Sequence, residues 1–208
     1  MDNATPTLEQ ALTEARNSLL LDSDHDLQPH FRWEIFRCLL DTSIADAARR
    51  RGAQIVVESE RLSTVQVLPL WEVASPDDRR PQRLLDEVGT FFNSAWNIEN
   101  AEALYRKSPF DYEDSPVYFV LSSAIHLLGL AILLFKRPQE CFRRPFYKNL
   151  SNRELEFPNG WDSCYCASVA FAGGVTWLPG SDNRKRLAFW EWWLNVAIPK
   201  ALQIGTET

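Results

Sequence analysis

Apolar residues recur every three or four positions through most of this chain, and this spacing constrains the fold more than any other feature. The clearest stripe follows Pro81 and comprises Leu84, Leu85, Val88, Phe91, Phe92 and Ala95. Residues three and four apart share one face of an α-helix. Pro81 suits the first turn of such a helix, because its missing N–H would have no partner there anyway. The spacing therefore predicts an all-α bundle of about seven helices.

One segment, from residue 53 to residue 68, is compatible with two structures. The β-branched run Ile55–Val57 would suit a strand. Ile55, Leu62 and Val65 also fall on one face of a helix. The periodicity leaves both a helix and a minor strand or irregular segment open.

Glycine and proline set the expected ends of several helices. Gly52 follows the three arginines Arg49–Arg51, and we expect it to end the helix that is entered after Pro29. Pro69 should kink or end any helix that reaches it. The stretch 136–160 is rich in basic residues and prolines, and it predicts a long irregular loop.

Length and charge indicate one acidic domain. The chain has 208 residues, of which 45% are hydrophobic, enough for a substantial core in a single domain spanning 1–208. Its 28 acidic and 22 basic residues give a net charge of −6. Phosphates would be repelled by this average charge, so we expect no nucleic-acid partner. Residues 1–30 form an acidic amino-terminal region without a secretory leader, which favours the cytoplasm.

A single run, from Phe119 to Phe135, has the length and apolar character of a short membrane span. It includes Ser122, Ser123 and His126, and no second such run occurs in the chain. We interpret it as the central buried helix of a soluble domain and expect no membrane partner.

A search for catalytic and metal-binding motifs finds none, so the chain is predicted not to be an enzyme and to need no cofactor or metal. The cysteines include no Cys-x-x-Cys pair, and we expect them to be reduced and mostly buried; they are Cys38, Cys141, Cys164 and Cys166. His126 lies one helical turn after Ser122, so a hydrolytic pair is conceivable. No orienting carboxylate is evident, and a core histidine is the preferred interpretation.

Two acidic clusters and one tryptophan are the candidate partner contacts. The clusters are Asp22, Asp24 and Asp26 near the amino terminus, and Asp111, Glu113 and Asp114 in a proline-flanked loop. Such clusters would attract a basic partner. Trp192 projects away from the apolar face of the terminal helix, and exposed tryptophan is enriched at binding hot spots.

The order of several motifs resembles an all-helical immunity-protein family of bacterial polymorphic toxin systems. The matching positions are Pro69, Trp71, Asp77, Asp78, Pro81, Trp161, Asp162, Gly173, Gly174, Trp190 and Trp193. The resemblance implies a small protein, encoded beside a toxin gene, that binds and blocks the toxin's enzymatic domain, often a nuclease. It also tips segment 53–68 toward helix, and it brings no catalytic or toxin-contacting residue.

Two alternatives belong to other functional classes. One is a helical adaptor or scaffold that self-associates through Trp192 and the terminal helix. The other is a hydrolase that uses His126 and Ser122.

Overall fold

The computed structural model describes residues 6–40, 46–91, 96–108, 115–137, 150–155 and 161–204. Its helices are α1 (Leu8–Leu21), α2 (Pro29–Leu40), α3 (Asp46–Ala74), α4 (Arg80–Thr90), α5 (Ile98–Arg106), α6 (Tyr118–Lys136), α7 (Ser163–Ala172), α8 (Asn183–Trp192) and α9 (Ile198–Gln203). A π-helical turn, Trp193–Ala197, joins α8 to α9. With that joined pair counted as one, the described residues form eight helical rods and no strand. The prediction of an all-α fold is confirmed.

Helix α3 resolves the ambiguous segment, because its 29 residues run without interruption through 53–68. The expectation that Gly52 ends a helix is wrong, since Gly52 lies inside α3. A Cβ atom at this position would stand 2.5 Å from the carbonyl oxygen of Leu39 and 2.9 Å from the Cα of Leu40. Glycine is therefore required here by the close approach of α2 and α3, which outweighs its low helix propensity.

Pro69 does not end α3 either. The helix continues to Ala74, with Pro69 on its exposed side. A proline has no N–H to donate to the carbonyl of Val65, four residues earlier. Water can satisfy that carbonyl because Val65 is also exposed. The helix thus tolerates the proline at the surface, where the same break in the core would be costly.

The apolar helix α6 forms the centre of the molecule. It packs against α3, α4, α5 and α7. By length and composition alone α6 could cross a bilayer, yet 56% of its most apolar window is buried within the fold. That burial is typical of the core helix of a soluble protein.

Helix α7 lies between α3, α6 and α8, and small side chains allow this close packing. Cys164, Cys166, Ala167 and Ala170 are all buried. The helix stops at Gly173, whose φ of 79° is left-handed and suits glycine. The N–H of Gly174 donates to the carbonyl of Val169 at 2.9 Å and closes the end of the helix.

Aromatic side chains anchor the terminal rod to the core. Phe189, Trp190 and Trp193 are at most 1% exposed. Trp190 packs edge-on against Trp193, with ring centroids 5.7 Å apart, and Trp193 does the same against Phe36 of α2 at 5.9 Å. Such rings remove on the order of 150–250 Å² each from water. The terminal helix is thereby fixed to α2 as well as to α7.

Candidate functional site

Three segments that are distant in sequence enclose a cleft of about 380 Å³. They are the connection between α1 and α2, the short segment 150–155, and the connection between α7 and α8. The side chains that give the cleft its character are Asp22, Asp24, Asp26, Asn152, Arg153 and Trp177. One of the two predicted acidic clusters thus lines a surface cleft, with an aromatic wall.

Asp22 shapes the acidic side of this cleft. Its N–H donates to the carbonyl of Ser18 at 3.0 Å and ends α1. Its carboxylate Oδ1 then accepts the N–H of Asp24 at 2.9 Å and that of Asp26 at 3.3 Å. An aspartate that bonds the backbone two residues on is a common way to reverse the chain. His25, with a φ of 51°, lies at the apex of the turn.

A buried polar network holds the turn from beneath. The Arg32 guanidinium is fully buried and donates to the carbonyl of Leu27 and to Asn152 Oδ1, the latter at 2.9 Å. Asn152 Nδ2 donates to Asp26 Oδ2 at 2.9 Å and to the Leu27 carbonyl at 3.2 Å. Arg32 Nε also donates to Asp162 Oδ2 at 2.7 Å. The cleft is therefore tied to the amino end of α7 and to the interior.

The three aspartates of the cluster are not equivalent. Asp24 is exposed and Asp22 is half-buried, whereas Asp26 is only 5% exposed. Burial raises the pKa of Asp26, while the positive charges of Arg186 and Arg32 oppose that rise. The cleft therefore has two more accessible carboxyl groups at its rim and a third, nearly buried one at its floor.

Two acidic side chains cap the amino end of α7. Asp162 Oδ1 accepts the N–H of Tyr165 at 2.8 Å, and Glu60 Oε2, from α3, accepts the N–H of Cys164 at 2.8 Å. Burial, and then the nearby Asp162 charge, raise the pKa of Glu60 to about 8. Glu60 is thus mostly protonated near pH 7, and Asp162 is the carboxylate that pairs directly with Arg32.

Glu60, Asp162 and Cys164 place their ligand-type atoms within 4.8 Å of one another. The donors do not suit a metal ion. Asp162 is already engaged by Arg32 and by the helix amides. Burial raises the pKa of the Cys164 thiol well above its ordinary value, whereas a metal binds the thiolate. This cluster caps a helix, and we assign it no metal.

The hydroxyl groups around α6 form a closed network. Ser123 Oγ lies 2.8 Å from Thr64 Oγ1 and 3.0 Å from Ser163 Oγ, and it donates to the Ser163 carbonyl at 2.9 Å. Burial lowers the pKa of the neighbouring His126 to about 4, so the imidazole is neutral at pH 7. These contacts join α3, α6 and α7, which is the role of a core network.

Comparison with known families adds one match to this geometry. The family model described as "Immunity protein Imm5" matches residues 12–200, which is most of the chain. The chain belongs to the Imm5 immunity protein family. None of the curated proteins matches it.

Several of the motif positions in this Imm5 protein build the corner between α3 and α4. The buried Trp71 indole donates from Nε1 to the carbonyl of Asp78 at 2.7 Å. The Asp78 carboxylate accepts the backbone N–H and the Nε of Arg80, both at 2.9 Å. The Arg80 guanidinium in turn lies 5.7 Å from the centre of the Trp71 ring. Pro81 is buried in the first turn of α4, and Asp77 is exposed.

Two further motif positions, Trp161 and Asp162, lie beneath the cleft. Trp161 Nε1 donates to the carbonyl of Asn152 at 3.1 Å and so holds the segment that carries Asn152 and Arg153. Its ring also packs against Trp177, with centroids 6.3 Å apart. Together with Asp162, Trp161 thus supports the cleft from inside without lining it.

The other predicted contacts have different positions. Asp111, Glu113 and Asp114 lie outside the described residues. Trp192 is partly buried, with its ring centroid 5.7 Å from that of Phe189. Self-association through this helix stays a prediction.

Sequence reasoning missed the buried polar residues that support the cleft, namely Arg32, Glu60, Asn152 and Arg186. A signal was present for Arg32. It lies at helical spacing from Pro29, Ile35 and Phe36 and so on the buried face of α2. A charged residue on such a stripe predicts a buried partner, although it does not identify that partner.

Proposed function

We propose that this Imm5 protein binds and neutralises the enzymatic domain of a bacterial toxin encoded beside it, in the cytoplasm of the cell that makes both. Family membership over residues 12–200 supports an immunity role. The observation that carries the proposal is the acidic cleft, whose rim carboxylates are available to a basic partner. Inhibition by this route is stoichiometric, one immunity protein for each toxin domain.

Exposed leucines beside the cleft supply the apolar part of the contact surface. Leu20 and Leu21, at the end of α1, are 61% and 87% exposed and directly precede Asp22. Protein interfaces combine an apolar centre with polar groups that fix the orientation. The exposed end of α1 and the acidic turn that follows it provide both in one short stretch.

The charge of the molecule indicates which enzymes it suits. An enzyme that acts on nucleic acid needs a basic cleft to hold phosphates, and the net charge of −6 favours association with such a surface. We infer that a nuclease domain is the target and that the carboxylates of the cleft mimic phosphates. Neutral or acidic toxin domains would gain nothing from this arrangement.

The test is co-expression of this protein with the toxin encoded beside it, with cell survival scored first and co-purification second. The proposal expects survival and a stable one-to-one complex. Leu21→Arg should weaken both, whereas Val73→Arg should leave both intact. Val73 is a matched control because it is also an aliphatic residue at a helix end and is 85% exposed.

The outcomes test two statements separately: that the protein neutralises the toxin by binding, and that the contact surface lies beside the cleft. Cell death with the unchanged protein, or survival without a complex, contradicts neutralisation by binding. Survival with a complex that Leu21→Arg and Val73→Arg affect equally contradicts only the position of the contact surface.

A further inference from the structure

We propose that the cleft is a receptor for one arginine side chain of the neutralised enzyme. This inference rests on the proposed function and specifies the chemistry of its contact. The cleft of about 380 Å³ is at the lower end of the range of small-molecule sites, so it suits a single side chain better than a helix or a strand.

The charged residues that line the cleft favour a positively charged ligand. Among the residues that the structure describes, Asp22, Asp24 and Asp26 face one positive lining residue, Arg153. Asp26 supplies the independent observation: within the part of the chain that the structure describes, its buried Oδ1 has no hydrogen-bond partner, while Oδ2 accepts from Asn152. A buried acceptor without a donor destabilises the fold. Asp26 lines the cleft, but its Oδ1 has almost no accessible surface, so a guanidinium in the cleft supplies that donor once the Asp26 side chain turns toward the opening.

The interior arginines do not satisfy this acceptor. Arg32 donates from Nε to Asp162 and from Nη1 to Leu27 and Asn152, and its Nη2 makes no hydrogen bond among the described contacts. Arg186 donates from Nη2 to the Gly174 carbonyl at 2.6 Å and to Ser181 Oγ. Both charges act on Asp26 at a distance, and neither makes a hydrogen bond to it among the described contacts.

The wall of the cleft favours a guanidinium over an ammonium. Trp177 is partly exposed and also lines the cleft. A planar guanidinium can lie on an indole face and still donate several N–H groups in its own plane. The carboxyl groups at the rim and at the floor of the cleft suit the several N–H groups of a guanidinium better than they suit the compact ammonium group of lysine.

The first experiment uses the free protein and does not depend on any toxin. N-acetyl-arginine amide is titrated into the labelled protein while the indole N–H signal of Trp177 and the amide signal of Asp24 are followed by NMR. A ligand of this size should bind with a dissociation constant on the order of millimolar. N-acetyl-citrulline amide has nearly the same shape without the charge and should cause no saturating shift.

Matched variants localise the binding. Asp24→Asn should weaken the arginine probe roughly tenfold, as expected for the loss of one charge-assisted contact. Asp86→Asn removes a charge from another exposed position, on α4, and should have no effect. Equal shifts with citrulline, no shift with arginine, or equal effects of the two variants would each overturn the arginine receptor.

The second experiment measures the affinity of the co-purified toxin domain for the same variants. A roughly tenfold loss with Asp24→Asn and none with Asp86→Asn supports the inference. Equally tight binding by the unchanged protein, Asp24→Asn and Asp86→Asn overturns the inference and leaves the proposed neutralisation intact. Absence of a complex with the unchanged protein contradicts the proposed function itself, and the inference fails with it.

Discussion

Glu60 and Arg32 occupy positions where an aliphatic side chain would carry no desolvation cost. Each side chain supplies the hydrogen-bond partner of a backbone group that would otherwise have none. Glu60 accepts an N–H at the amino end of α7, and Arg32 donates to the carbonyl of Leu27 in the turn below the cleft. A buried charge is costly alone, so the carboxyl of Glu60 is held neutral and the guanidinium of Arg32 is paired with Asp162.

The raised pKa of Glu60 predicts how stability depends on pH. Between the ordinary value of 4.5 and the folded value of about 8, the folded chain holds a proton that the unfolded chain releases. The contribution of this group is therefore fully present below pH 4.5 and is lost as the pH rises toward 8. Glu60→Gln keeps an acceptor for Cys164 and cannot ionise.

Relative to Glu60→Gln, the free energy of unfolding of the unchanged protein should fall by up to about 1.4 kcal/mol per pH unit across that window. Urea unfolding at a series of pH values measures the difference. Parallel pH profiles for the two proteins would show that Glu60 ionises normally in the folded state.

At the scale of single residues, periodicity located the core and left its polar partners unidentified. The spacing placed Leu84, Leu85 and Val88 on one buried face, as the structure has them. Arg32 also falls on a buried stripe, but its partner Asp162 is 130 positions away. No local pattern relates residues so far apart, because the fold alone brings α2 and α7 together.

Helices α7 and α8 each begin with an aspartate cap, yet the two caps should differ greatly in their effect on stability. Asp182 is exposed and accepts the N–H groups of Arg184 and Lys185. Asp162 caps α7 and also neutralises the buried Arg32. Asp182→Ala should cost about 1 kcal/mol, the usual value for a lost cap.

Asp162→Ala should cost about 3–5 kcal/mol, because it leaves a buried guanidinium without its carboxylate. Chemical denaturation of the two variants gives the comparison. Similar costs for Asp162→Ala and Asp182→Ala would mean that the Arg32 charge is stabilised by other groups.

The crossing of α2 and α3 yields a second prediction at the scale of elements. A methyl group at Gly52 would meet the backbone of Leu39, which cannot move aside as a side chain can. Gly52→Ala should therefore destabilise the protein by about 1–3 kcal/mol, as overpacking does. Gly89 lies in α4 with nothing within 4 Å of the added methyl.

Gly89→Ala should stabilise the protein by about 0.5–1 kcal/mol, since alanine has the higher helix propensity. The two midpoints of thermal unfolding should thus move in opposite directions. A stabilising Gly52→Ala would show that α2 and α3 can separate at little cost.

The all-α fold class and the approximate number of helices could be predicted from the sequence, whereas the continuity of α3 could not. Gly52 and Pro69 both disfavour a helix when judged locally. The structure overrides that preference in two ways: contact with α2 requires the glycine, and exposure to water accommodates the proline. The candidate site could be predicted only in part, because the acidic cluster Asp22, Asp24 and Asp26 was identified while the contribution of Trp177 to the cleft was not.

At the scale of the molecule, the net charge of −6 predicts the kinetics of association. The double variant Asp22→Asn, Asp24→Asn keeps the side-chain oxygens that shape the turn and removes two charges from the rim of the cleft. Association with the toxin domain should slow, and its dependence on salt should flatten, because long-range attraction is screened by ions.

Stopped-flow mixing at several salt concentrations measures this effect. The control is the double variant Asp86→Asn, Glu99→Gln, which removes the same charge from exposed positions on α4 and α5. Unchanged rates in both double variants would contradict phosphate mimicry and leave neutralisation intact.

The residues that hold the acidic turn in place are different from the exposed side chains at the rim of the cleft, and this separation affects how the protein can evolve. Arg32 and Asn152 hold the turn through the carbonyl of Leu27, and a backbone carbonyl is present whatever the side chain. The exposed side chains at Leu21 and Asp24 can therefore be exchanged without loss of that support. Specificity for a different toxin domain can thus be acquired by substitution of one surface residue at a time. Selection for folding acts on a separate set of positions, the buried residues that hold the turn.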